Sequence, residues 1–158
     1  MTPLELRIAA DGRAPGVARA ALARWLTARN WPVEDGEDVV FAVSEAVSNA
    51  AEHAYSHGRS GVEPGPLVVV AVTELIDSDD RRAKIVVEDF GAWRSESADE
   101  GRRGHGLRMI AALMESWTVE RGRSGTRITM ISRPVPGRAS NAPCGQRGSR
   151  VPGAEDGG

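Results

Sequence analysis

Asp38 to Tyr55 reads DVVFAVSEAVSNAAEHAY. Wound as a helix at about 100° per residue, it has two unlike faces. Val39, Val43, Ala46, Val47, Ala50 and Ala54 gather on one side, and Asp38, Glu45, Ser48, Asn49, Glu52 and His53 on the other. Glu45, Asn49 and His53 are spaced i, i+4, i+8 and form one polar row. A solvated face usually mixes Lys, Arg and Glu, yet no Lys or Arg lies between Glu37 and Tyr55. A carboxylate, a carboxamide and an imidazole on successive turns suit a base, a metal or phosphate ligand, and a further polar contact. Chance spacing on a solvated helix would give the same row, so the rest of the chain has to decide.

The chain has 158 residues, enough for one domain with a real core. Its hydrophobic content is 41% without a long apolar run, which argues against a membrane span. The N-terminus, MTPLELRIAADG, lacks a basic-then-apolar leader pattern, so a cytoplasmic protein is expected. A net charge of −2 gives no pull toward nucleic acid or an anionic membrane. Cys144 is the single cysteine and lies near the C-terminus, which argues against an internal disulfide or a structural metal centre. Lys84 is the single lysine, leaving few candidates for a kinase built on a Walker or strand lysine.

Outward from the central helix, the elements follow from periodicity. Leu4 to Ala9 alternates Leu4, Leu6 and Ile8 on one face and reads as a strand. Gly16 to Arg29 reads as a helix, closed by Asn30-Trp31-Pro32 because a residue before proline avoids the helical region. The central helix is expected from Glu34 or Asp35 to His57-Gly58. A glycine- and proline-rich loop, 59–66, precedes a strand from Leu67 to Ile76. Arg81 to Asp89 is the next strand, with Ile85 and Val87 on one face; the short Asp77–Asp80 turn makes the pair antiparallel. Phe90 to Gly106 is low in apolar residues and reads as a functional lid or a disordered insert. Leu107 to Leu113 is a short helix, and Trp117–Arg121 and Thr126–Ser132 form a closing hairpin around Gly122–Gly125. The expected fold is a two-layer α/β sandwich, a mixed but mostly antiparallel sheet covered on one face by three helices. The domain is expected to span 1–133, with 134–158 a disordered tail rich in Pro, Gly, Ser and Arg.

Three further motifs carry chemistry. Asp89, at a strand end, begins Asp89-Phe90-Gly91; its carboxylate can accept from an exocyclic amine such as that of adenine, and glycine permits close approach of a base. The letters match a motif of protein kinases, but the chain has no HRD segment and no lysine strand. Gly104-His105-Gly106-Leu107 precedes the short helix and offers backbone N–H groups to a phosphate. It is not a dinucleotide fingerprint, since no strand comes just before it and no small residue stands at Met109. Gly125-Thr126 heads the last strand, where the Thr126 hydroxyl could complete an adenine contact.

Each motif alone is weak; in this order, on these elements, they resemble the N, G1, G2 and G3 boxes of the GHKL ATPases. Within that superfamily the chain is similar to the small bacterial serine kinases that act as anti-sigma factors. The resemblance runs from Leu4 to about Ser132. It implies the histidine-kinase-like ATPase fold, with ATP and Mg²⁺ as cofactors. It implies Glu45 as general base and Asn49 as Mg²⁺ ligand. Asn49, His53, Asp89, Gly91, Gly104, His105, Gly106, Leu107 and Thr126 are implied nucleotide contacts, with Asp89 on the adenine amine. It also implies the partners: a STAS-type anti-anti-sigma protein phosphorylated on serine, a sigma factor that is sequestered, and a second copy of the chain in a homodimer. Two departures stand out: Ala92-Trp93 follow Gly91 where a second glycine is common, and the lid mixes Glu96, Asp99 and Glu100 with Arg94, Arg102 and Arg103.

Little protein chemistry is demanded, since phosphoryl transfer is largely positioning plus charge neutralisation. Mg²⁺ needs only one or two protein ligands beside phosphate and water, and an ordinary carboxylate such as Glu45 contributes about 10² in rate as a base. The rival readings are a catalytically silent nucleotide-binding module that regulates a partner, and the ATP-binding fragment of a histidine kinase, for which no second helical hairpin with a phosphorylatable His is present.

Overall fold

The computed structural model describes residues 2–53, 65–76, 79–91 and 100–137. The side chains of His53 and of 100–105 are outside that description, as are Ala54, Tyr55, residues 92–99 of the expected lid with Trp93 among them, and the tail from 138 onward.

The element order is β1 (Leu4–Ala9), α1 (Ala14–Thr27), α2 (Val33–His53), β2 (Pro66–Leu75), β3 (Asp80–Asp89), α3 (Glu100–Leu113), β4 (Ser116–Gly122), β5 (Gly125–Ile131) and β6 (Val135–Pro136). The strands form one sheet in the order β1-β2-β3-β5-β4, with β6 beside β3. Every described pairing is antiparallel. The mixed sheet expected from the sequence is therefore an antiparallel one. The helix pair α1–α2 and then α3 are inserted between sequence-adjacent strands, and after each insertion the returning strand runs opposite to its neighbour.

Period-2 alternation sorts the strands cleanly. Leu67, Val69 and Ala71 of β2, Ala83, Ile85 and Val87 of β3, and Ile128 and Met130 of β5 face the helices and are buried. They meet Leu22 of α1, Val39, Val43 and Val47 of α2, and Ile110 of α3 in one core. The opposite face has no helix over it among the described residues. There Glu74 and Arg82 are direct cross-strand partners at 2.9 Å, as are Glu88 and Arg127 at 3.1 Å.

The helix-facing row of β3 ends in a charge at each side. Arg81 and Asp89 are both buried, 5% and 6% exposed, where the alternation calls for apolar residues. Arg81 donates to the carbonyls of Arg29 (2.7 Å) and Asn30 (2.9 Å), just past the end of α1. Its guanidinium also lies over the Trp31 ring at 4.9 Å. Asn30 has a φ of 50°, and Trp31 N–H returns to the Leu26 carbonyl at 3.1 Å. A left-handed residue followed by this backward bond is how α1 stops; Pro32 comes later. The buried Arg81 thus anchors a helix end, and Asp89 lies at the opposite end of the row.

Two boundaries differ from the sequence reading. The fold runs past 133, because Val135 is buried and pairs with Arg81 through β6. α3 begins at Glu100 rather than Leu107, so Gly104, His105, Gly106 and Leu107 lie inside a helix and not in a turn before it. Glycine disfavours helix by about 1 kcal/mol relative to alanine. The helix forms despite that weak preference, and Gly106 is the position where it comes against α2.

Candidate functional site

Two clusters form. The first is carried by α2. Val39, Val43 and Val47 bury one side of the helix and so fix its rotation. Glu45 and Asn49, one turn apart, are left half-buried on the flank that meets α3. Gly106 sits directly on them. A Cβ at Gly106 would lie 3.1 Å from Asn49 Nδ2, 3.3 Å from Glu45 Oε2 and 3.4 Å from Asn49 Oδ1. Only a residue without a side chain brings the α3 backbone this close to both polar groups. Leu107, the next residue, is partly buried and packs on the core, which holds this part of α3 in place. Lower down, Arg133 ties the two helices together, donating to the Ala112 carbonyl at 2.7 Å and lying 3.9 Å from the Asp38 carboxylate.

The second cluster is at the end of β3. Asp89 Oδ1 accepts from Gly91 N–H at 3.1 Å and from Thr126 N–H at 3.3 Å. Burial pushes the Asp89 carboxyl above its ordinary value, with a small push from Glu88, against the lowering effect of the Gly91 and Thr126 hydrogen bonds. Thr126 thus supports Asp89 through its backbone N–H. A carboxylate has room for about four donors, so capacity remains for an incoming amine.

Gly125 is the residue whose importance the sequence understated. Its φ is +133°, and a Cβ there would fall 1.9 Å from the Asp89 carbonyl oxygen and 2.9 Å from the Phe90 Cα. Glycine at this point lets β5 pass close enough for Thr126 to reach Asp89. Its signal in the sequence is the Gly-Thr pair, but only the pairing of Asp89 with Thr126 says what the glycine must clear.

Glu45, Asn49, Gly106 and Leu107 thus converge on one side, and Asp89, Gly91 and Thr126 on the other, with α2 lying against β3 between them. Gly104 and His105 are on α3, and His53 closes α2, but the side chains of His53 and His105 are outside the described residues. No group of three or more His, Cys, Asp or Glu that could hold a metal occurs among the described residues. The donor set suits a cation held chiefly by phosphate and water: one amide oxygen from Asn49 with a carboxylate beside it. No described helix is long and apolar enough to cross a membrane.

Residues 8–132 match the model of the histidine kinase-like ATPase domain family. The chain belongs to this family. Among relatives of this ATPase domain, a protein named serine-protein kinase RsbW from Oceanobacillus iheyensis is 30% identical over 118 residues, covering 71% of this chain and 75% of the relative. A protein named anti-sigma F factor from Clostridium acetobutylicum is 28% identical over 137 residues, covering 80% and 90%. The crystal structure of the RsbU and RsbW domains of a Mycobacterium tuberculosis protein is similar with a TM-score of 0.62 and 32% identity. That match takes in 87% of this chain but 34% of the longer one. The ATPase fold expected from the four motifs is therefore the fold of this chain.

Proposed function

We propose that this protein is an ATP-dependent protein serine kinase of the anti-sigma type. It phosphorylates a serine of a STAS-type anti-anti-sigma partner and, in its other state, holds a sigma factor. The observation that carries the proposal is the meeting of Glu45, Asn49 and Gly106, backed by the names of relatives at about 30% identity over most of the chain.

In this reading the adenine amine donates to the buried Asp89 carboxylate. Gly91 leaves the backbone beside Asp89 without a side chain, so the base can lie close, while Gly125 clears the Asp89 backbone. Asn49 Oδ1 is the protein ligand for Mg²⁺, which when bound supplies charge neutralisation at the phosphates. Glu45, one turn away, accepts the proton of the incoming serine hydroxyl as its oxygen attacks the γ-phosphorus, the bond from that phosphorus to the bridging oxygen breaks, and ADP leaves. The α3 backbone at Gly104 to Leu107 covers the phosphates, and Gly106 sets its distance from the base and the metal ligand. His53 extends the polar row of α2 by one more turn and completes the nucleotide contacts. A cytoplasmic location goes with ATP and sigma-factor partners.

A homodimer belongs to the same proposal. The sheet face without helices carries Val68, Val70, Val72 and Val86 in its centre, framed by the Glu74–Arg82 and Glu88–Arg127 pairs. An apolar centre with a charged rim is the usual anatomy of a subunit contact.

The test is incubation of the protein with MgATP and STAS-domain proteins of the same genome, reading phosphoserine by mass spectrometry. Wild type is expected to label one of them on serine. Glu45→Gln is expected to keep ATP affinity and lose about 10² in transfer rate. If both fall together, Glu45 is a binding residue and not the base. Nucleotide binding without label on any partner would instead favour the silent regulatory module.

A further inference from the structure

The polar row of α2 extends backward from Glu45 to an unexpected residue. Phe41 is one turn before Glu45 and is 50% exposed, on a helix whose other large apolar residues from Val39 to Val47 are covered. On α3, Met109 is 41% exposed while its neighbour Ile110 is fully buried.

Two contacts set the level of these two positions along the α2–α3 seam. Gly106 lies on Glu45 and Asn49, and Arg133 spans from Ala112 to Asp38. Going from Gly106 to Ala112 on α3 therefore means going from Asn49 back toward Asp38 on α2: the helices run antiparallel. Met109, half-way between Gly106 and Ala112, comes level with the turn between Phe41 and Glu45. At about 100° per residue, Phe41 stands on the solvent side of Glu45, and Met109 on the solvent side of Gly106. Both flank the seam between the helices at its outer edge, next to the Glu45 carboxylate. The first half of α2 is also acidic. Glu34 and Glu37 are exposed, and no Lys or Arg occurs anywhere from Val33 to His53.

We propose that Phe41 and Met109 form a docking ledge for the segment of the protein substrate that carries the phosphoacceptor serine. This rests on the kinase reading above and adds the recognition chemistry. Four residues of helix rise about 6 Å, and an extended chain covers about 3.3 Å per residue. The ledge therefore takes an apolar side chain two or three residues from the serine. The acidic start of α2, beyond Phe41, takes a Lys or Arg further along the same segment. Apolar contact gives the segment a register, so that the serine hydroxyl arrives at Glu45 and not a turn away.

The experiment uses the full chain and the STAS protein that it phosphorylates. Steady-state transfer is measured for wild type, Phe41→Asp, Met109→Asp and Phe41→Leu, with melting temperature and ATP affinity determined for each. The expectation for the two aspartate variants is a KM for the protein substrate raised about tenfold or more. ATP affinity and melting temperature stay at wild-type values, because both side chains are half exposed. Phe41→Leu restores the KM. In the substrate, replacing the apolar residue two or three positions from the serine by Ala raises KM for wild type but adds nothing for Phe41→Asp. Wild-type transfer with an unchanged KM in both aspartate variants overturns the ledge alone. Phosphoserine absent from the wild-type reaction removes the kinase reading and the ledge with it.

Discussion

Replacing Asp89 by Asn separates what this residue does for the fold from what it does for the ligand. Asn has nearly the same shape, and its Oδ1 can still accept from Gly91 and Thr126 at 3.1 and 3.3 Å. What changes is the charge and the second oxygen, which becomes an NH₂. In the nucleotide-free protein, removing a buried charge relieves desolvation, the largest influence on this carboxyl. The raised pKa sets the sign. The carboxyl contributes stability at acid pH, below its unfolded value, and that contribution is lost as pH rises through the folded value. At neutral pH the variant should therefore melt at or above the wild-type temperature. Binding should change the other way. A hydrogen bond to a charged acceptor is worth about 1.5–3 kcal/mol, and the variant sets an amide donor against the adenine amine. ATP affinity should fall about 10- to 150-fold. Calorimetric titration with ATP and ITP is the assay, since ITP lacks the exocyclic amine. Wild type should prefer ATP and the variant should not. Wild-type ATP affinity should also weaken on acidification through the raised Asp89 pKa, while the variant shows no such step. ATP affinity within about threefold of wild type, with the preference over ITP intact, would refute the role given to Asp89.

Three other expectations follow from the geometry. Asn49→Ala should erase most of the difference in ATP affinity with and without Mg²⁺, measured by the same titration; an undiminished difference removes Asn49 as the ligand. Gly106→Ala places a methyl group 3.1 Å from Asn49 Nδ2 and 3.3 Å from Glu45 Oε2, so both side chains must shift by a few tenths of an ångström. Its melting temperature should stay near wild type, since alanine favours helix, while phosphoryl transfer drops by about tenfold or more through misplacement of the reacting groups. Leu22→Ala empties a fully buried core position and should cost about 2–5 kcal/mol, read as a lowered urea midpoint with an unchanged slope.

Much of the candidate site's geometry was legible in the sequence because its groups are on regular elements. Once Val39, Val43 and Val47 fix the rotation of α2, the i, i+4 spacing puts Glu45 and Asn49 side by side. Alternation along β3 likewise carries Asp89 to the covered face, in line with Ile85 and Val87. Contacts between distant residues were not legible in this way. The extension of α3 back to Glu100 runs against local glycine preference, and the close approach of Gly106 to α2 joins residues far apart in sequence. The use of Thr126 to support Asp89, the clearance at Gly125 and the burial of Arg81 under the end of α1 all depend on strand register and helix approach. Local pattern is written into a few neighbouring residues, and periodicity reads it out. The identity of the atom across the gap depends on how chain between residues 37 or 52 positions apart closes up, and only the packed tertiary structure decides that.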